Sequence, residues 1–194
     1  VLPRFSYLPL PSIGHTHAGG MIRRVLIAEP FGGDGRSAAW AAARLHGLEL
    51  IDEASQAPVA RLEVIEPDEA DFAKVFRHYA ARDIAEWATV WTSVTPILLP
   101  GYDDNKPAKR ERLLRDCLVH AGIDPAAVAS IECRRAGWPA AVTAPTSAFL
   151  RPHHLKNLPA FHVRIEFVSP IGGPLSLGAG RHAGLGVFAA ASGG

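Results

Sequence analysis

Cysteine is scarce: Cys117 and Cys133 are the only two in a chain of 194 residues. Two thiols so far apart make neither a disulfide framework nor a CxxC zinc motif. They point to a reduced, cytoplasmic setting. Long apolar runs are missing as well, and none reaches the length that crosses a bilayer. The start lacks a secretory pattern, because Val1 and Leu2 are followed by proline and arginine, with no basic stretch ahead of an apolar one. A chain that starts on valine is expected to be processed, or to be a piece of a longer one. No GK[ST] follows any glycine-rich stretch, which argues against a Walker loop. No GxSxG is present, so the serine-nucleophile elbow is absent too.

What is present is ordinary globular material, 48% hydrophobic and 20% charged. The length suits one domain with a good core, or two small ones. Net charge is only +1, but it is uneven. Residues 1–99 carry nine Arg and Lys against twelve Asp and Glu, and residues 100–194 carry eleven against seven. The second half is therefore about +4 and the first about −3. That asymmetry favours a polyanion near the C-terminal half, although solvated surface charge alone also produces it.

The hydrophobic pattern divides the chain into two segments. In the first, RRVLIAEP (Arg23–Pro30) reads as a buried strand with a proline stop. GDGRSAAWAAARLHGLEL reads as an alanine-rich helix that Gly47 terminates. VARLEVIEP alternates as a half-buried strand does, and Pro67 breaks it. DEADFAKVFRHYAARDIAEW, acidic first and basic later, suits a helix or a polar connection. The second segment opens on ATVWTSVTPILLP, a strand that Pro96 bends or places at an edge. KPAKRERLLRDCLVHAGI is the clearest helix, with Leu113, Leu114, Cys117, Leu118 and Ala121 on its apolar face and Gly122 at its end. AVASIECRR, AFHVRIEFV and GLGVFAAA read as strands. The order strand, helix, strand, strand, glycine-rich loop, strand predicts an α+β ferredoxin-like β-α-β-β-α-β unit whose second helix is shortened or replaced by the loop. The first segment offers a less complete version of the same unit.

Three stretches carry chemistry. In GHTHAGG, His15 and His17 are two residues apart, a spacing that puts both on one side of a strand. Glycines flank them, and Arg23 and Arg24 follow. Two imidazoles beside two guanidiniums suit acid–base work on a phosphodiester. HxH is also a metal-ligand spacing, and a pair of surface histidines in a loop is the plain structural reading. The second stretch, GGPLSLGAGRHAGLGVF (Gly172–Phe188), holds six glycines, one arginine, one histidine and no acid. Its GAGRHAG departs from GxGxxG by one residue, and no crossover helix or ribose-binding acid follows, so a dinucleotide site is a poor fit. Its backbone N–H groups could face phosphates, with Arg181 gripping one. A bulged hairpin needing several positive φ angles is the structural alternative. The third stretch, RPHHLKNLPAFHVR (Arg151–Arg164), brings three histidines, two arginines and a lysine together. It suggests a positive groove, with Phe161 either available to stack on a base or, being in phase with Val163 and Ile165, part of the core. Cys117, on the apolar face of its helix, reads as a packed thiol.

Together LPSIGHTHAGGMIRRV, WTSVTPILLP and PIGGPLSLGAGRHAGLGVF resemble the RAMP-superfamily subunit of type I-U (also called I-G) CRISPR systems. In that family a backbone-capping part is fused to a crRNA-processing endoribonuclease part, and this chain resembles the second. The resemblance implies tandem ferredoxin-like (RRM-like) modules, here residues 1–87 and 88–194, with a C-terminal glycine-rich loop on the RNA. It implies cleavage of repeat RNA without metal or other cofactor, by attack of the ribose 2′-hydroxyl, leaving a 2′,3′-cyclic phosphate and a 5′-hydroxyl. The partners it implies are CRISPR repeat RNA and crRNA, the other subunits of a type I effector complex, and a preceding part of the same fused protein, with no membrane. Mapped onto this chain, His15 and His17 become the catalytic pair, with His153, His154 and His182 as rivals. The RNA-binding set becomes Arg23, Arg24, Arg151, His153, His154, Lys156, Gly172, Gly173, Gly178, Gly180, Arg181, His182 and Gly184. Two other readings stand beside it: a non-catalytic crRNA-binding subunit, and an HxH metalloenzyme.

Overall fold

A computed structural model describes residues 5–14, 18–29, 33–65, 76–80, 87–138 and 144–191. In chain order they form strands β1 (Ser6–Pro11) and β2 (Ile22–Ala28), helix α1 (Arg36–Leu45), and strands β3 (Glu49–Ile51), β4 (Pro58–Arg61), β5 (Ala88–Ser93) and β6 (Ile97–Leu98). Helix α2 (Pro107–His120) and strands β7 (Val128–Arg134), β8 (Ala160–Ile171) and β9 (Phe188–Ala190) follow. No helix among the described residues is long and apolar enough to cross a membrane.

The local reasons are visible in the sequence. Pro107 opens α2, where its fixed φ fits a helix and its missing N–H leaves nothing unpaired. Leu114, Cys117 and Leu118 turn inward at helical spacing. Just past the helix, Gly122 takes φ +77°, a left-handed conformation that glycine adopts without strain. Alanines build α1, and Gly47 at φ +80° follows it. That helix nevertheless has no fully buried side chain. Propensity alone makes a short helix marginal, so tertiary packing holds α1 less firmly than α2.

Strand β8 organises the C-terminal sheet. One of its edges pairs with β7, the other with β5 and, past the bend at Pro96, with β6. The far edge of β5 pairs with β9. Every pairing is antiparallel. If β5, β7, β8 and β9 are taken as first to fourth, the sheet runs fourth-first-third-second, with α2 joining first to second. This is the ferredoxin-like arrangement. Residues 172–187 stand where the second helix of that fold belongs, and they form only a 3-10 turn at Arg181–Ala183.

Alternation along β8 separates two layers. Phe161, Val163, Ile165 and Phe167 join Leu114, Cys117, Leu118, Trp91 and Phe188 beneath α2. On the other side Leu8, Leu10 and Ile13 pack with Tyr79, Val94, Val187 and Ala189. The β1–β2 hairpin thus closes the second face, and β8 starts with Ala160, Phe161, His162 and Val163 all buried. Residues 5–65 otherwise form two separate two-stranded sheets, β1–β2 and β3–β4.

Three expectations need amendment. The buried strand read in RRVLIAEP is β2, whose residues are exposed or half-buried and none fully buried. The half-buried strand read in VARLEVIEP is the short β4, with all four residues exposed. Strand β1 was not foreseen, because Pro9 and Pro11 argue against a strand. They are tolerated because among the described residues β1 pairs only with β2 and is an edge. Of the acidic-then-basic stretch after Pro67, residues 76–80 and Trp87 are described, and the rest lies outside the described residues.

The turn into β9 supplies a test. Gly186 sits at φ +72°, and a Cβ there would lie 1.8 Å from the Leu177 carbonyl oxygen. Gly35 has φ +80° with nothing within 4 Å of an added Cβ. Gly186→Ala is expected to cost about 2–4 kcal/mol in denaturant unfolding, and Gly35→Ala only about 1 kcal/mol. Equal losses would contradict this packing.

Candidate functional site

The glycine-rich segment is a built element. Leu175, Leu177, Leu185, Val187 and Phe188 are buried. Leu177 and Phe188 donate their N–H groups to the carbonyls of Gly186 and Leu175, folding the segment on itself. Ala179 and Gly186 donate to Leu98 and Pro96, and Val187 to the Thr95 hydroxyl, which ties it to β6. Arg181, Ala183 and Leu185 donate within the 3-10 turn. The glycines permit these approaches: a Cβ on Gly178 (φ +95°) would lie 2.6 Å from the Leu98 carbonyl oxygen, and one on Gly173 would lie 2.1 Å from that of Tyr79. Of the twelve backbone N–H groups from Leu177 to Phe188, eight are thus bonded to the protein. A phosphate approaching here would meet the half-buried side chains of Arg181 and His182.

His182 reaches the other half of the chain. Its Nδ1 lies 3.1 Å from Ser6 Oγ and 3.3 Å from the Phe5 carbonyl oxygen. Gly184 lets Pro9 approach, since a Cβ there would stand 3.0 Å from the proline ring. The glycine-rich segment and β1 therefore form one surface.

The opposite end of β1 leads to the histidine pair. His15 and His17 lie outside the described residues. Gly14, just before them, takes φ +79° and packs against the His78 ring, which an added Cβ would approach to 2.4 Å. Tyr79 donates its hydroxyl to the Pro11 carbonyl at 2.5 Å, and burial pushes its phenol pKa well up. The His78 carbonyl accepts from Ala190 at the end of β9. His78 and Tyr79 are wedged between the hairpin and the sheet. Sequence reasoning passed over them, and the one available signal was an aromatic and a histidine together in FRHY. Arg23 is exposed and Arg24 half-buried; Arg24 pairs in register with Leu10, at this same end. From Ser6 to Pro11 a strand rises about 17 Å, so Arg181 and His182 stand apart from Arg23, Arg24 and Gly14.

The third basic stretch resolves into separate roles. Arg151 donates to the carbonyls of Lys156 (3.4 Å) and Leu158 (3.1 Å), bracing the 3-10 turn His153–Leu155. His153, His154 and Lys156 are exposed on that turn. Gly172 and Gly173 lie beyond β8, backed by Trp87 and by Tyr79 and Trp91. Phe161 is core, with Arg110 and Arg135 stacked on its ring at 4.2 and 4.4 Å. His162 is fully buried beside Ser93, whose Oγ lies 3.4 Å from Nδ1. Burial lowers its pKa, helped by the Arg134 charge and opposed by the carbonyls of Ser93 and Ala144. It therefore adds no cation at neutral pH to the groove expected here.

Burial also pushes the thiols of Cys117 and Cys133 up to about 11. Both stay protonated near neutrality and are poor nucleophiles. Among the described residues no group of three or more His, Cys, Asp or Glu is placed to hold a metal.

His162 sets a pH dependence. Its folded pKa lies below the ordinary 6.5, so the unfolded chain takes up the proton more readily. Its stabilising contribution is full above about pH 6.5 and is lost as pH falls toward the folded pKa. Unfolding free energy should fall below pH 6.5 by up to about 1.4 kcal/mol per pH unit from this group. His162→Leu should flatten that slope in denaturant melts; an unchanged slope would refute the assignment.

No curated protein and no solved structure matches this chain. The family of CRISPR-associated proteins designated GSU0054 does match, across residues 2–190. That span covers the β1–β2 hairpin, the five-stranded sheet of β5 to β9 and the glycine-rich segment packed against both. The chain belongs to the CRISPR-associated GSU0054 family.

Proposed function

We propose that this protein is a CRISPR RNA-processing endoribonuclease of the RAMP superfamily, acting in a type I-U (I-G) system. The observation that carries the reading is membership of a CRISPR-associated family over residues 2–190. The ferredoxin-like strand order of β5, β7, β8 and β9 supports it, as does the glycine-rich segment in place of a second helix. Two modules, residues 1–87 and 88–194, would share the RNA with a preceding part of the same fused protein and with other effector subunits.

RNA carries its own nucleophile, so the chemistry needs proton transfer and charge neutralisation rather than an activated serine or cysteine. Histidine near neutral pH serves both as base toward the 2′-hydroxyl and as acid toward the leaving 5′-oxygen. His15 and His17 take those roles in this reading. Arg23 and Arg24, following on β2, neutralise the charge that develops on the phosphate. Arg181, His182 and the exposed His153, His154 and Lys156 hold the RNA on either side. Of the glycines, Gly172, Gly173, Gly178, Gly180 and Gly184 serve that binding chiefly by letting the segment pack tightly enough to present Arg181 and His182.

Incubation with the repeat RNA in excess EDTA tests the proposal. Cleavage is expected to persist, and a 2′-deoxy substitution at the scissile nucleotide is expected to abolish it. His15→Ala and His17→Ala should each lower the single-turnover rate by about 10²–10⁴-fold while RNA affinity stays within a few-fold. Wild-type rates in both variants would overturn the catalytic assignment. Tight binding with no cleavage by the wild-type protein would replace it with a crRNA-binding role. Loss of cleavage in EDTA would favour a metalloenzyme.

A further inference from the structure

An open pocket of about 350 Å³ lies where the loop after β6, the end of β7 and the segment entering β8 meet. Its lining includes Tyr102, Asn105, Arg135, Arg151 and Asn157. Two acids, Asp103 and Asp104, also line it. Both are already neutralised by cations of α2. Asp103 accepts from Arg110 at 2.6 Å, and Asp104 from Lys109 at 2.7 Å. Arg135 and Arg151 form no ion pair among the described residues. Each is instead held by a main-chain carbonyl, Arg135 by Ala160 at 2.9 Å and Arg151 by Leu158 at 3.1 Å. Phe161 braces Arg135 from behind. The pocket therefore presents two positioned, uncompensated guanidiniums. Beside them the Tyr102 ring is 57% exposed, open to stacking by a planar group.

We infer that this pocket binds one unpaired nucleotide of the RNA. Its phosphate sits on Arg135 and Arg151, its base stacks on Tyr102, and the amides of Asn105 and Asn157 meet the base edge. The volume lies at the low end for small-ligand sites, about 300–1,000 Å³, room for one nucleotide rather than a helix. A duplex keeps its bases stacked away from such a ring, so the occupant is single-stranded. The inference rests on the reading of this protein as RNA-binding. It extends that reading to a site containing none of the proposed catalytic residues, and it brings in Tyr102, Arg135, Asn105 and Asn157.

The test uses a single-stranded trinucleotide, short enough for one pocket to dominate its affinity. Tyr102→Ala removes an exposed ring that makes no hydrogen bond among the described residues, so the fold should survive, as a thermal melt will show. Binding is expected to weaken by about 5- to 100-fold. Arg151→Gln should also weaken it and reduce its salt dependence. A 4-thiouridine version of the trinucleotide should cross-link to the peptide containing Tyr102. Binding by Tyr102→Ala within about two-fold of wild type, cross-links confined elsewhere, or no detectable trinucleotide binding by the wild type would each overturn the inference. Cleavage of repeat RNA is scored separately. If the wild type cleaves while Tyr102→Ala binds the trinucleotide normally, the pocket assignment alone fails. If Tyr102→Ala weakens binding but the wild type never cleaves, the nuclease reading alone fails.

Discussion

The N–H of Gly186 donates to the Pro96 carbonyl, and the Gly186 carbonyl accepts from Leu177. Much of the molecule depends on this close double contact. It lets residues 172–187 fold back on themselves as a hydrogen-bonded loop where the fold would otherwise place a helix. A side chain at Gly186 would meet the Leu177 carbonyl. With the contact made, Val187 reaches the Thr95 hydroxyl and Phe188 enters β9, which lies on the far edge of β5. The 3-10 turn at Arg181–Ala183 is then fixed against β1, and His182 meets Ser6. One glycine contact thus couples the last strand, the first strand and the polar side chains of the segment.

This coupling recasts the abundance of glycine. The six glycines between Gly172 and Phe188 look like backbone laid bare for a ligand. In the structure eight of the twelve N–H groups from Leu177 to Phe188 bond to the protein, and the glycines permit approach between protein segments. In the proposed reading, recognition then falls to side chains mounted on a stiff base. Such mounting favours binding, because ordering the segment has already been offset by burial of its leucines. The same logic applies to Arg135 and Arg151, each held by a main-chain carbonyl before any ligand arrives.

Much of the C-terminal half was legible in the sequence because its signals are local and strong. The alternation in AFHVRIEFV, the apolar face of α2 and the stop at Gly122 all behave as their spacing requires. The replacement of the second helix was legible too, since six glycines in that segment are incompatible with a stable helix. What escaped was set by tertiary contact. Strand β1 is rich in proline and becomes a strand because β2 and the core residues around Tyr79 accept it. His162 sits in a basic stretch by sequence, yet the hairpin side of the sheet buries it and leaves it neutral. His78 gave almost no sequence signal, because its position depends on Gly14, far away in the chain. The pairing of Arg110 with Asp103, which leaves Arg135 uncompensated, is likewise a fact of three dimensions.

The chain belongs to a CRISPR-associated family, and the proposed reading, with His15 and His17 moving protons and the RNA's own 2′-hydroxyl attacking, specifies which bond is made and which is broken. The most direct measurement is the chemistry of the cut ends, read by mass spectrometry on repeat RNA cleaved by the wild-type protein. Attack by the ribose 2′-hydroxyl predicts a 2′,3′-cyclic phosphate on the upstream fragment and a 5′-hydroxyl on the downstream one. A 3′-hydroxyl paired with a 5′-phosphate would show that water is the nucleophile and would contradict the account.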